Sequence, residues 1–294
     1  RTSNNPKSPV VYGKASEKSW LEFQLLDESG KPVANMPYKA RNNPFAEGHG
    51  MKFSGDSDDN GIIRLENLHP TDICLTIDGD ALAGEMEKRL LRVDRDNDAS
   101  EVKTMAGQQK HEYRYVTIGE LCDKLPSIAK PQKTERQLSA FHFPKETFTG
   151  LRVKKLNCRY VLEICPFRAW ALVLHHQKAY SLVNAYNLGI LATLVYSTLP
   201  RDKEGSVFEF FFNQCQDLSK LPLLAAGGED FYAVVEDVPF SQRYVGFGDV
   251  DTQGSMLGDH DTQLFYVYNK KQMIVAWRGS QEGRDWLTDF TYVP

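Results

Sequence analysis

Trp20-Leu-Glu-Phe-Gln-Leu-Leu26 alternates apolar and polar side chains, the period of two that a half-buried β-strand requires. Asp27-Glu-Ser-Gly30 then predicts a turn, and Lys31 to Tyr38 opens a second extended segment. Asp58-Asp-Asn-Gly61 predicts a turn ahead of the β-prone Ile62-Ile-Arg-Leu65, and Ile73-Cys-Leu-Thr-Ile77 is another short run of the same kind. Short strands separated by Gly, Asp and Asn turns predict a small β-sandwich over about 20–80. Leu82, Met86 and Leu90 are spaced by four, which predicts a short helix across 79–92 and a first module of 20–92.

The pattern then changes. Residues 1–19 are polar and predict a tether, and 93–112 are rich in Asp, Asn, Lys and Gln. Thr117 to Leu125 predicts a helix stopped by Pro126, and 126–137 are rich in Lys, Pro and Gln, so 93–140 is expected to be a linker region. Phe141-His-Phe-Pro144 and Phe148 are aromatic anchors that dock the chain onto something. Tyr160 to Ile164 predicts a strand, followed by the apolar Pro166 to Leu174. Residues 181–197 predict a buried amphipathic helix with Val183, Tyr186, Ile190 and Leu194 on one face. Its Ser, Asn and Thr residues argue against a membrane span. Leu264 to Tyr268 is a strand, Asn269 to Gln272 a turn, and Met273-Ile-Val-Ala-Trp277 the pattern of a strand buried on both faces. The second half is therefore mixed α/β, without an internal repeat.

Composition narrows the function classes. Across 294 residues, 35 Lys and Arg against 39 Asp and Glu leave a net charge of −4, without the basic footprint of a general nucleic-acid binder. Hydrophobic and charged fractions of 41% and 25% are those of a folded globular chain, which excludes wholesale disorder. Five scattered cysteines without a C-x-x-C pair suggest idle thiols of a reducing compartment, and neither a metal site nor a cofactor is expected. The N-terminus lacks the apolar stretch of a signal peptide, and the missing initiator Met suggests trimming.

Several motifs offer chemistry. Asp56-Ser-Asp-Asp-Asn-Gly61 begins like a calcium loop, but the twelfth position is Asn67 where a bidentate Glu belongs, and a hairpin turn is the better account. Gly248 to Asp261 carries four acids and a His, either a solvated loop or a cation site. No G-x-S-x-G occurs. The informative stretch is Met273 to Pro294, where an apolar strand delivers Arg278-Gly-Ser280 to its C-terminal edge, the usual place for chemistry in α/β sheets. Gly279 lets the backbone approach a ligand, and Ser280 offers an N–H and a hydroxyl to a developing oxyanion. Trp286, Leu287 and Phe290 form an apolar helix face with Asp285 and Asp289 opposite. Such a face makes a lid or lipid-facing surface; a core strand followed by a packed helix is the competing reading.

Trp277-Arg-Gly-Ser280 followed by Asp285-Trp-Leu-Thr-Asp-Phe290 resembles the class 3 lipases of fungal triacylglycerol-lipase type, and Asp261 to Phe265 and Asn184-Ala-Tyr-Asn187 fit the same pattern. The resemblance implies ester hydrolysis on an α/β-hydrolase fold. It implies an oxyanion-hole role for Ser280, not that of nucleophile, and a lid-like, lipid-facing position for Trp286, Leu287 and Phe290. Trp277 stands where Phe is commoner. The family's G-H-S-L-G elbow follows later and has no counterpart here, so no triad residue is assigned in this chain. Residues 141–294 are then expected to be the N-terminal part of an α/β-hydrolase domain, truncated before the nucleophile, and strand 273–277 would need cover along its open edge.

Trp20-Leu-Glu-Phe, Asp27 to Pro32 and Ile77-Asp-Gly-Asp80 are similar to transthyretin-like modules. Phe141 to Pro144 and Glu163 to Trp170 look like the linking region of lipase effectors of the type VI secretion system. These resemblances imply an antibacterial lipase or phospholipase made in the cytoplasm and delivered to a target periplasm. Its expected partners are membrane lipid, a secretion spike protein or adaptor, an immunity protein and the remaining C-terminal part of the lipase domain; nucleic acid is not among them. The alternative is a non-catalytic loading module that docks on the spike or is recognised by an immunity protein.

Overall fold

The computed structural model describes residues 18–42, 50–130, 141–143, 148–197, 199, 203–226, 228–251 and 263–279. Strands β1 (Ser19–Leu26), β2 (Pro37–Asn42), β3 (Met51–Asp56), β4 (Ile62–Leu68) and β5 (Ile73–Ile77) come first, then helices α1 (Gly79–Met86) and α2 (Glu101–Gln108). Next are β6 (Glu112–Val116), α3 (Ile118–Leu121), β7 (Leu151–Val153), β8 (Cys158–Ile164) and β9 (Arg168–Leu172). Helix α4 (Leu182–Leu194) and the single turn α5 (Val207–Glu209) precede β10 (Leu223–Ala226), β11 (Glu229–Tyr232), β12 (Val235–Pro239), β13 (Gly246–Asp251), β14 (Gln263–Tyr268) and β15 (Met273–Trp277).

Two four-stranded sheets, ordered β4-β1-β8-β6 and β3-β2-β5-β7, make up the first half. The expected module boundary at 92 therefore does not hold. β8 runs parallel between β1 and β6, and β7 closes the second sheet against β5. β1 is a central strand, not a half-buried one: Leu21, Phe23 and Leu25 are buried in the main core, while Leu26 packs with Val102, Ala106 and Val161 in a second cluster that includes α2. Between them Glu22 accepts from Arg64 at 2.6 Å and from Arg159 at 2.8 Å. Burial pushes its carboxyl upward, but the two guanidiniums outweigh burial and hold it below its ordinary value.

The expected linker 93–140 contains α2, β6 and α3. Helix α1 ends at Met86, short of the expected 92, and Leu90 is exposed. The reason is ionic. Arg89 pairs with Asp27 at 2.8 Å, Arg92 with Glu163, and Arg95 with Glu28. Glu163 also accepts from the hydroxyls of Ser100 and Tyr113, and Glu28 from that of Tyr115 at 2.7 Å. Buried charges persist when each lone pair finds a donor. Three arginines at every third position thus strap a polar segment to the sheet.

One core runs on into the second half. It includes Leu21, Phe143, Phe167, Tyr244, Val267 and Ile274. The aromatic anchors dock at the joint: His142 is fully buried, edge-on to Phe167 and Phe240, and its carbonyl accepts from Gly119 of α3. Arg168 spans the same joint, donating to the Asp237 carboxylate at 2.9 Å and to the Glu87 carbonyl at 3.0 Å. β9 pairs with β12, and β13-β14-β15 form an antiparallel sheet. No helix among the described residues is long and apolar enough to cross a membrane.

Candidate functional site

The β14–β15 hairpin turns on Asn269, whose Oδ1 accepts the N–H groups of Lys271 and Gln272 at 2.8 and 2.9 Å. Gln272 in turn donates to the hydroxyl of buried Tyr244, which also accepts the Leu172 N–H of β9. The hairpin is thereby pinned to the core at its turn. The expectation that β15 is buried on both faces is not met. Ile274 is buried on one face, but Met273 and Trp277, which project to the other, are 64% and 63% exposed, so that face of β15 lies open. An apolar run states what a strand can bury, not what lies against it.

Beyond β15, Arg278 and Gly279 meet the end of α4. The Gly279 N–H donates to Tyr196 Oη at 3.0 Å, and the Arg278 guanidinium carbon lies 5.5 Å from the Tyr196 ring centre. A β-carbon at position 279 would stand 2.9 Å from Tyr196 Oη, so a larger residue there would require the tyrosine tip to move. Ser280, Trp286, Leu287 and Phe290 lie outside the described residues.

Helix α4 begins where Ser181 Oγ accepts from the Asn184 N–H at 3.2 Å. Its buried residues are Asn187, Ile190, Leu191 and Leu194, so the expected face is rotated and Tyr186 is exposed. The rotation has a polar cause. Buried Asn187 donates to the carbonyls of Val173 and Val234 and accepts the Val234 N–H at 3.0 Å. Asn184 likewise exchanges two bonds with the backbone of His175. Both asparagines hold the helix in place by bonding to backbone.

A cleft of about 580 Å³ opens beside Tyr196, within the range of small-molecule sites. Leu194, Leu199, Leu221 and Leu224 give it an apolar wall, and Glu204, Glu209 and Lys220 its charges. Ser197 also lines it, but its hydroxyl donates to the Gly205 carbonyl at 2.8 Å, which is no arrangement for a nucleophile and its base. Gln214 is the last residue of a π-helical turn, Phe210–Gln214, and is committed on both sides, to Glu209 and to the Leu223 N–H. The cleft can hold an apolar ligand with a polar end. What it lacks, among the described residues, is an activated nucleophile.

The calcium-like motif resolves as structure, whereas most of the acidic stretch Gly248 to Asp261 lies outside the described residues. Asp58 Oδ1 accepts the N–H groups of Asn60 and Ile62, and Gly61 has φ +70°, so the calcium-like stretch is a hairpin turn. Among the described residues no group of three or more His, Cys, Asp or Glu could hold a metal ion. All five cysteines are free thiols. Burial pushes Cys165 up to about 12 and raises Cys122 and Cys215 as well, which makes these thiols poor nucleophiles. Tyr196 carried no motif; only its place just after the uncharged helix could have flagged it.

No family model matches the chain. The chain is similar to Toxin TseL. That protein is from Vibrio cholerae serotype O1, and the identity is 21% over 284 residues, 90% of this chain and 41% of TseL. The chain thus spans about two fifths of the length of this curated relative. Among solved structures, BcpA, the major pilin subunit of Bacillus cereus, is 19% identical over 20% of this chain and 18% of its own, with a TM-score of 0.18. A streptococcal ancillary pilin is 8% identical over 92% of this chain and 61% of its own, with a TM-score of 0.20. No fold follows from likenesses of this size.

Proposed function

We propose that this chain is the N-terminal part of an antibacterial toxin delivered by type VI secretion, and that the whole protein hydrolyses membrane lipid esters. The observation that carries the toxin reading is the similarity to Toxin TseL, which extends over 90% of the chain. The lipase part rests on Trp277-Arg-Gly-Ser280 and Asp285-Trp-Leu-Thr-Asp-Phe290. It gains support from the Gly279–Tyr196 bond, which fixes the backbone ahead of Ser280 beside a partly apolar cleft. In this reading Ser280 donates to the oxyanion of the tetrahedral intermediate, and Trp286, Leu287 and Phe290 face lipid. The nucleophile and its His and Asp come from sequence outside this chain, and the β-sandwich is the part that a spike or adaptor recognises.

Phospholipid hydrolysis by the whole gene product, with Ser280→Ala beside it, is the test. Loss of one oxyanion donor lowers turnover by about 10²–10³. Unchanged turnover by a folded variant refutes the role of Ser280. The 294-residue chain alone is expected to leave a p-nitrophenyl ester intact, and hydrolysis by it would refute the assignment of the nucleophile elsewhere.

A further inference from the structure

Three cations stand in line across one face of the sandwich. In the sheet β3-β2-β5-β7, Lys52 is opposite Arg41, Arg41 opposite Cys74, and Cys74 opposite Arg152. Residues directly opposite in a sheet project to the same face. The inner face is unambiguous, since Ala40, Leu75, Leu151 and Val153 are all buried, so the row Lys52–Arg41–Cys74–Arg152 points outward. Lys52, Arg41 and Arg152 are exposed, and none of them forms an ion pair with a described residue. Like charges directly opposite destabilise a sheet, and here Lys52 and Arg41 are so placed without an ion pair to any acid among the described residues.

Arg41 and Arg152 also line a single cleft of about 610 Å³, with Cys74 between them and Phe148 at its side. Gly150 shapes this rim. Its φ is +77°, and a β-carbon there would meet the Leu75 carbonyl at 2.5 Å. Asp72 subtracts one charge within the cleft, leaving the row net positive. With strands about 4.8 Å apart, the two arginines stand about 10 Å apart at the backbone and the whole row spans about 14 Å. A single phosphate engages one guanidinium fork. An extended chain places alternate side chains about 7 Å apart on one face, so two carboxylates can reach both arginines while a neighbouring side chain rests on Phe148.

We propose that this face is a docking surface for an acidic, extended segment of a partner protein. It deepens the delivery reading by naming the face and the chemistry of its partner, and it is independent of ester hydrolysis. The test uses the folded chain and a fluorescein-labelled octapeptide of alternating Asp and Ser, followed by anisotropy at low salt. Arg41→Glu with Arg152→Glu is expected to weaken binding at least tenfold. Lys31→Glu with Lys271→Glu, the same charge change elsewhere, is expected to leave it within twofold, and bound peptide is expected to slow alkylation of Cys74. Arg41→Gln with Arg152→Gln, a milder exchange of the same exposed pair, is expected to give an intermediate loss with an unchanged melting temperature. Absence of peptide binding, or an equal loss in the Lys31/Lys271 control, overturns the proposal. So does binding only to inorganic phosphate or to phosphatidylglycerol vesicles. The assay uses neither secretion nor lipid turnover, so its failure is distinct from failure of the delivery reading.

Discussion

His142 makes the joint between the two halves sensitive to acid. The imidazole is fully buried, its Nε2 lies 3.2 Å from the Arg168 carbonyl, and its Nδ1 has no hydrogen-bond partner. A carbonyl only accepts, so Nε2 carries the proton and Nδ1 is bare. Burial lowers the pKa from 6.5 to about 4, against the pull of the Arg168 carbonyl and of Asp217 and with the push of Arg95. The folded state therefore binds this proton less readily than the unfolded chain. Stability from this group is complete above the unfolded value of 6.5 and is lost as pH falls toward 4. Linkage gives a loss of about 2 kcal/mol at pH 5 and about 3 kcal/mol at pH 4. Carboxylates such as Glu22, held low by partners, lose their share at lower pH still, below their unfolded values. The informative quantity is thus the difference between the wild-type chain and His142→Leu, compared by urea unfolding at pH 7.5 and pH 5. The variant gives up one hydrogen bond, about 1 kcal/mol, at both pH values, and that cost cancels in the comparison. The wild-type chain should lose about 2 kcal/mol more than the variant between the two conditions. Equal losses would show that His142 does not resist protonation, and the account of the joint would fall with it.

Two further outcomes test the sandwich. Glu163→Gln keeps the shape of a fully buried side chain but strands Arg92, and loss of one partner of a buried pair costs about 3–5 kcal/mol. It should lower the melting temperature and speed proteolysis between residues 88 and 100; a loss below about 1 kcal/mol would mean that the strap is not held by its charges. Deleting residues 1–92 removes β1 to β5, leaving only β8-β6 of one sheet and β7 of the other, and should leave an aggregating remainder. A soluble, cooperatively unfolding 93–294 would refute the pairing of β8 with β1 and of β7 with β5.

The strands were legible because their signals are local. Ile73 to Ile77 stands where its β-branched run predicts, and the turn at Asp58 to Gly61 is written in residues that bond to their own backbone. What joins those strands is not local. β1 meets β8 across more than a hundred residues, and only the filled core tells that two sheets close together. Composition misled over 93–140 for a definite reason. Polarity marks a linker only if the polar groups face water, and Arg92, Arg95, Ser100, Tyr113 and Tyr115 spend theirs on Glu163 and Glu28 inside the protein. The spacing of Arg89, Arg92 and Arg95 was visible, but its meaning depends on acids 62 to 71 residues away.

The candidate site divides in the same way. Gly279 could be picked out from the strand that precedes it, yet Tyr196, which receives its N–H, lies 83 residues earlier in the chain and belongs to no motif. The cationic row has the opposite character. Lys52, Arg41 and Arg152 are unremarkable one by one, and a net charge of −4 hides them. They become a surface only through the register of β3, β2, β5 and β7, and a register that differed by one residue in β3, β2 or β7 would turn its cation inward. The buried partners Ala40, Ile73, Leu75, Leu151 and Val153 fix that register hydrophobically. The same core that closes the sandwich therefore sets its unpaired charges in line on the outside.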